Sequence, residues 1–353
     1  MVEKVLIYTH AVDLDGWTSG ALIKLLHPLK NCIYGLEYEF TIKTWTYSRD
    51  EPKFDSLTGY DFFYLADLHF SNELIAKLYN YYNDRFIWID HHKKSIEDFY
   101  NEWPDVALKN TLYCPMLFNS IDTKINGIQS TKYAACGLVW KYFIDDIINN
   151  GNVQQFCQVF KEYKSSKNFN VESLKKFPKW LDLIDTYDKW NNSDSIKWST
   201  EVMPFQFDMR TKIGSVENML TYINKFEDDS LSISSEKLIN DQIIVGKQIY
   251  AYQQQMYRNQ LKTGYTYLLN YNNNVYKAFV LNTQDRGSII FEPMKNRSDN
   301  YDIFIVWYYD GHNYNYSMYT FSDNINCAEI CAQIGNGGGH KQAAGFKSDK
   351  LMF

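Results

Sequence analysis

Three short apolar runs near the start of the chain constrain its fold more than any other feature. Residues Val5 to Thr9, Asp61 to Ala66 and Arg85 to Ile89 are rich in Val, Leu, Ile, Phe, Tyr and Trp without the alternation of a half-exposed strand. Strands of this kind are buried on both faces, as happens in a parallel sheet covered by helices on either side. The intervening stretches Thr18 to Leu29 and the segment running from an N-capping Ser71 to Tyr82 read as those helices. Ligands of doubly wound sheets lie outside the carboxyl ends of the strands. Each run stops on acidic and imidazole residues: His10, Asp13 and Asp15 after the first, Asp67 and His69 after the second, Asp90, His91 and His92 after the third.

At 353 residues, the chain is too long for one small core and suits more than one domain. Segments 131–163 and 173–190 have helical spacing of apolar residues, and the Asn- and Ser-rich stretch 191–199 reads as a loop. A long helix is expected from Ser235 to Lys262, capped by Ser234 or Ser235. The last part changes character. Tyr265 to Leu269, Val275 to Asn282, Asp302 to Tyr308 and Tyr314 to Tyr319 read as strands, with turns at Asn272 to Asn274 and Asp310 to His312 and a short helix from Cys327 to Ile334. The expectation is an α/β chain: a doubly wound, mainly parallel sheet domain over 1–200, a helical linker over 201–262, and a smaller α+β domain over 263–353.

Composition narrows the partners. The formal net charge is −6, whereas gripping long duplex DNA calls for a basic stripe that neutralises phosphates. No long-duplex binding is expected. The six cysteines form no Cys-x-x-Cys pair and read as reduced, mostly buried thiols of a cytoplasmic protein. No stretch reaches transmembrane length without charges, so no membrane partner is expected. The 29 Tyr, 22 Phe and 9 Trp are mostly core, and a tyrosine-rich apolar surface would suit a homodimer.

The clusters carry metal chemistry. Carboxylates mixed with imidazole and without thiolates suit manganese- or magnesium-like ions rather than structural zinc. Gly16 lets the chain turn tightly into the first helix; Asp13 and Asp15 would equally serve as caps of that helix. Asp67, at a strand end, is placed to share its two oxygens between two cations. In Asp90-His91-His92 one imidazole can ligate metal, the next can face a phosphate, and Asp90 can fix a tautomer by accepting a ring N–H. Asp188, with Asp185 as its rival, would complete the second cation's shell. The run Gly337, Gly338, Gly339, His340 offers successive backbone N–H groups and an imidazole to an anion.

Together these residues resemble the DHH family of phosphoesterases, in the branch with a DHH-associated C-terminal domain that includes the nano-RNase oligoribonucleases, cyclic-dinucleotide and phosphoadenosine-phosphate phosphodiesterases, and RecJ-like single-strand exonucleases. The resemblance runs from His10 to Phe346 and is weakest between about 195 and 300. It implies that His10, Asp13 and Asp67 hold one divalent ion and that Asp15, Asp67, His91 and Asp188 hold the other. His92 and the Gly337–His340 loop would then face the scissile phosphate, with His92, Asp67 and Asp90 as the catalytic set. Where relatives carry Ser-Leu-Arg before the glycine loop, this chain reads Ser317, Met318, Tyr319; Arg286 is the candidate replacement.

The function these readings imply is a cytoplasmic enzyme with two Mn²⁺ ions (or Mg²⁺ or Co²⁺) that hydrolyses short oligonucleotides to mononucleotides. The alternatives are a cyclic-dinucleotide or phosphoadenosine-phosphate phosphodiesterase, a single-strand exonuclease, or a catalytically silent nucleotide sensor.

Overall fold

The computed structural model describes residues 2–30, 36–47, 49–103, 125–160, 174–225, 235–285, 287–335, 337–339 and 341–353, without the side chains of 235 and 295–300. It divides into two compact units, between Gln248 and Ile249.

The first unit is built on five parallel strands: β1 (Val2–His10), β2 (Glu37–Trp45), β3 (Phe62–Ala66), β4 (Phe86–Asp90) and β5 (Gly127–Gln129), in the spatial order β2-β1-β3-β4-β5. Helices α1 (Leu14–Lys30), α2 (Asn72–Tyr82), α3 (Lys93–Glu102) and α4 (Ala135–Asn149) cover it. Leu6 and Tyr8 of β1, Phe63 and Leu65 of β3 and Trp88 of β4 pack on one face with Leu74, Ile75 and Leu78 of α2 and Ile96 and Phe99 of α3. Tyr64 points the other way, to His27 of α1 and Phe143 of α4. Both faces are dry, which is why these strands are apolar throughout.

Register sets the site. Thr9 pairs with Ala66 and Ala66 with Ile89. The next residue on each strand is therefore His10, Asp67 or Asp90, and the three stand in one row at the carboxyl edge. In this strand order β1 and β3 flank the point where the winding reverses, the place where such sheets bind ligands.

Further helices described in this unit include α5 (Val153–Val159), α6 (Lys179–Asp188), α7 (Met203–Lys212) and α8 (Val216–Lys225), followed by α9 (Ser235–Gln260), within which the units divide. Three expectations need correction. The helix expected over 131–163 breaks at Gly151, where φ is +73°; its last part lies outside the described residues. The one expected over 173–190 begins only after Pro178, the residue at its N-cap, since proline has no N–H to continue a helix backwards. The stretch 191–199 is a loop only to Asp194, whose side chain accepts from the Lys197 N–H at 2.9 Å and starts a run of helical turns to Val202. The cap of α9 expected at Ser234 or Ser235 lies outside what is described.

The second unit is a six-stranded sheet in the order β10-β11-β9-β8-β7-β6. Its strands are β6 (Tyr265–Tyr271), β7 (Asn274–Asn282), β8 (Ile303–Tyr309), β9 (Tyr314–Tyr319), β10 (Gly338–Gly339) and β11 (Ala343–Ser348). All neighbours are antiparallel except β7 and β8. Asn272 and Asn273, both with positive φ, make the tight β6–β7 turn that matches strand twist. Helix α10 (Cys327–Gly335) seats Cys327, Ile330 and Cys331 on Leu269, Val280, Ile305 and Met318. The chain is thus α/β, a parallel-sheet unit followed by a smaller α+β unit. No helix among the described residues is long and apolar enough to cross a membrane.

Candidate metal centre

His10 ends β1, and Asp13 caps α1 three residues later. One Asp13 oxygen accepts the Gly16 N–H at 2.9 Å, while the other lies 2.6 Å from His10 Nδ1. Capping and clustering are therefore not alternatives at Asp13. Burial would raise its pKa, but the His10 hydrogen bond and charge, with the Gly16 N–H, outweigh burial and lower it. Asp15 does something different. It is 1% exposed, and its two oxygens accept from the first amides of α4, Ala135 N–H at 2.8 Å and Cys136 N–H at 2.6 Å. Those amides have no partner within their own helix, and a carboxylate at a helix N-terminus is favoured by the dipole.

Asp67 follows β3 with φ at +57°, a left-handed conformation that aspartate adopts more readily than most residues. It is buried, with one oxygen 3.7 Å from His10 Nδ1 and the other 3.3 Å from His91 Nε2. The same His91 nitrogen lies 3.3 Å from Asp188 and 3.7 Å from Asp15. Burial, then the neighbouring Asp15, Asp13 and Asp188 carboxylates, push Asp67 well above the usual carboxylate range. Burial, Asp15 and Asp13 do the same to Asp188, against the pull of His92. Burial lowers the pKa of His91 and leaves it a neutral imidazole with a lone pair to give.

Asp90 organises the histidine pair through one oxygen. That atom accepts the His91 N–H at 2.8 Å and the His92 N–H at 3.3 Å, and lies 2.7 Å from His92 Nδ1. Burial works against a charge on His92, but Asp90 prevails and its pKa rises to about 9. His69 turns away to Asn72, 2.9 Å from its Nε2.

The geometry separates the two aspartates of α6. Asp188 joins Asp15 and His91, whereas Asp185 accepts the Ala134 N–H at 2.7 Å. Gly137 makes room for it, since a Cβ there would sit 2.4 Å from the Asp185 oxygen. Burial pushes Asp185 up to about 7 despite that N–H. Among the described residues, three sets of ligand atoms lie within 4.8 Å of one another: His10 with Asp13 and Asp67, Asp15 with His91 and Asp188, and Asp67 with His91 and His92.

Sequence reasoning missed two contributors. The first turn of α4 is marked only by the small-residue run Ala134, Ala135, Cys136, Gly137. Tyr47, whose hydroxyl accepts the His69 N–H at 3.1 Å and whose ring centre lies 6.1 Å from that of His10, follows β2. That strand had a readable signal, the alternation in Glu37-Tyr38-Glu39-Phe40-Thr41-Ile42 of a half-exposed edge strand.

In the second unit, Gly338 and Gly339 pair with Gly345 and Ala344. A Cβ would meet the Gly345 carbonyl oxygen at 2.1 Å from Gly337, and the Ala343 carbonyl oxygen at 2.6 Å from Gly339; Gly338 has open space. Two of the three glycines are thus required by close strand approach alone. The Tyr319 hydroxyl accepts the Gly287 N–H at 2.8 Å. His340 and Arg286 lie outside the described residues.

No protein-family model and no curated protein matches this chain. Among solved structures it is similar to exonuclease RecJ bound to manganese, at 14% identity over 98% of this chain and 86% of that one, with a TM-score of 0.50. It also resembles an exopolyphosphatase-related protein from Bacteroides fragilis, at 13% identity over 99% and 88% of the two chains and a TM-score of 0.46. A pGpG-specific phosphodiesterase, PggH, from Vibrio cholerae aligns at 14% identity over 98% and 93%, with a TM-score of 0.41. At this identity the likeness to the exonuclease is one of fold, a parallel-sheet unit followed by a smaller sheet unit.

Proposed function

We propose that this chain is a dinuclear metal-dependent phosphoesterase that hydrolyses short oligonucleotides to mononucleotides. The observation that carries the reading is buried Asp67, which faces one imidazole-carboxylate group with each of its oxygens. Asp13, Asp15, Asp67 and Asp188 bring four carboxylates to the candidate ligand groups among the described residues. Two divalent cations would balance those four charges, and oxygen-rich sites with imidazole and no thiolate suit Mn²⁺, Mg²⁺ or Co²⁺. His10, Asp13 and Asp67 would hold one ion, and Asp15, Asp67, His91 and Asp188 the other. Such ions supply a nucleophilic hydroxide at neutral pH and stabilise charge on phosphoryl oxygens.

The chain's own groups do the rest. The α4 amides hold Asp15 in place before any ligand arrives, and Asp90 fixes both histidines. His92 sits with Nδ1 against Asp90, and that carboxylate raises its pKa in the metal-free chain and favours the protonated ring. Its other ring N–H is a preorganised donor for charge that develops on a phosphoryl oxygen. In this reading Gly337, Gly338, Gly339, His340 and Arg286 bind substrate. A short substrate follows from the net charge of −6, which leaves little non-specific affinity for a long backbone. The fold shared with an exonuclease that binds manganese agrees with the proposal.

The test is Mn²⁺-dependent hydrolysis of a panel: end-labelled RNA and DNA from dinucleotides to long oligomers, pGpG, cyclic di-AMP and phosphoadenosine phosphate, with Asp67→Ala alongside. Fastest turnover of the shortest RNAs, lost in Asp67→Ala, is expected. Preference for a cyclic or 3′-phosphorylated mononucleotide would move the assignment to those classes. Mn²⁺ binding without turnover of any member would refute it.

A further inference from the structure

The loop after β2 brings an aromatic hydroxyl to the rim of the metal cluster by several independent tethers. The Trp45 carbonyl accepts the Ala11 N–H at 3.0 Å, which ties the end of β2 to the loop between His10 and Asp13. The Trp45 indole donates to the Asp50 carbonyl at 3.0 Å and closes the loop. Its ring then meets Tyr47 edge-on at 5.0 Å. Tyr47 leans over His10, and its hydroxyl oxygen takes the backbone N–H of His69, two residues beyond Asp67. The residue is nevertheless 54% exposed.

These contacts use the hydroxyl oxygen as an acceptor and leave its proton without an acceptor among the described residues. A tyrosine hydroxyl is an ordinary neutral donor near neutral pH. A fixed neutral O–H at the edge of an acidic cluster suits one kind of guest. It cannot compete for the cations, and it donates to an anionic oxygen that approaches from solvent.

We propose that Tyr47 contacts the substrate, its hydroxyl donating a hydrogen bond to a non-bridging oxygen of the phosphoryl group on the His10, Asp13 and Asp67 side of the cluster. This rests on the phosphoesterase reading above. A hydrogen bond to a charged oxygen that tightens as charge develops is worth about ten- to a hundredfold in rate.

The experiment uses the full chain with the preferred substrate of the panel, wild type against Tyr47→Phe, with Mn²⁺ binding followed by calorimetry. The Phe variant keeps the ring against Trp45 and His10 and removes only the hydroxyl. The expected result is a kcat lower by about ten- to a hundredfold with Mn²⁺ affinity unchanged. An active wild type with Tyr47→Phe within about twofold in kcat overturns the proposal and leaves the phosphoesterase reading standing. A fall in Mn²⁺ affinity that matches the fall in rate also overturns it, because Tyr47 would then only position His10. A wild type that binds Mn²⁺ and hydrolyses no member of the panel overturns both.

Discussion

Replacing Gly16 by alanine puts a number on how tightly the first ligand is held. Gly16 lies in the first turn of α1, with its N–H on Asp13. A Cβ there would sit 2.5 Å from the His10 carbonyl oxygen and 2.7 Å from the His10 Cβ. Neither is a side-chain tip that can rotate away. Ordinary contact begins near 3.4 Å, so α1 and the end of β1 must part by nearly an ångström. Overpacking of this kind costs about 1–3 kcal/mol, partly offset by up to about 1 kcal/mol from the better helix propensity of alanine. The functional cost is larger, because His10 must keep its place against Asp13 at 2.6 Å and Asp67 at 3.7 Å. A misplacement of about 1 Å costs on the order of a hundredfold in rate.

Gly20→Ala, one turn on in the same helix, is the control. Its nearest neighbours to an added Cβ are methyl groups of Val216 at 3.0 Å and Thr9 at 3.2 Å rather than backbone, so stability should stay within about 1 kcal/mol of wild type with full activity. The assay is calorimetric Mn²⁺ titration beside steady-state hydrolysis for all three proteins. If Gly16→Ala bound Mn²⁺ and turned over as wild type does, His10 would not be held by this contact and its assignment as a ligand would lose its structural basis.

The two aspartates of α6 should behave oppositely. Asp188→Asn should weaken the second Mn²⁺ by at least about tenfold, whereas Asp185→Asn keeps an oxygen for the Ala134 N–H and should leave Mn²⁺ affinity near wild type; equal losses in the same titrations would contradict the geometry. A pH-dependent stability term should come from His27, which is buried 2.8 Å from the Tyr64 hydroxyl and ringed by Tyr38, Phe40 and Phe62. Burial, then Lys30, lower its pKa from 6.5 to about 4. The folded state therefore holds it neutral while the unfolded chain protonates near 6.5. Its contribution is fully present above that pH and is lost as pH falls towards 4, by about 3 kcal/mol in all. Urea unfolding of wild type and His27→Asn across this range should give profiles that converge towards acid. Parallel profiles would mean that the four rings stabilise the imidazolium.

How much could be read in advance differed with the physics of each element. Val5 to Thr9, Phe62 to Ala66 and Phe86 to Ile89 are legible because double-sided burial leaves no room for polar residues. The edge strand β2 is half exposed and mixes Glu, Lys and Thr with its apolar side, and it escaped notice along with Tyr47 behind it. Asp185 and Asp188 are three apart on one helix and so share a face; no pattern in the sequence says which one faces His91. That choice depends on the Ala134 N–H just ahead of α4 and on the missing side chain at Gly137, about fifty residues earlier in the chain.

The sequence by itself determined where the strands stop, and therefore that His10, Asp67 and Asp90 would each stand at a strand end. An apolar run buried in a sheet ends at its first charged residue for reasons of solvation alone. Only the tertiary structure decided that these ends form one row, that Asp15 reaches the amides of α4, and that Tyr47 overhangs His10. Strand order and register join segments far apart in the chain, and that information lies in packing between elements rather than in any one of them.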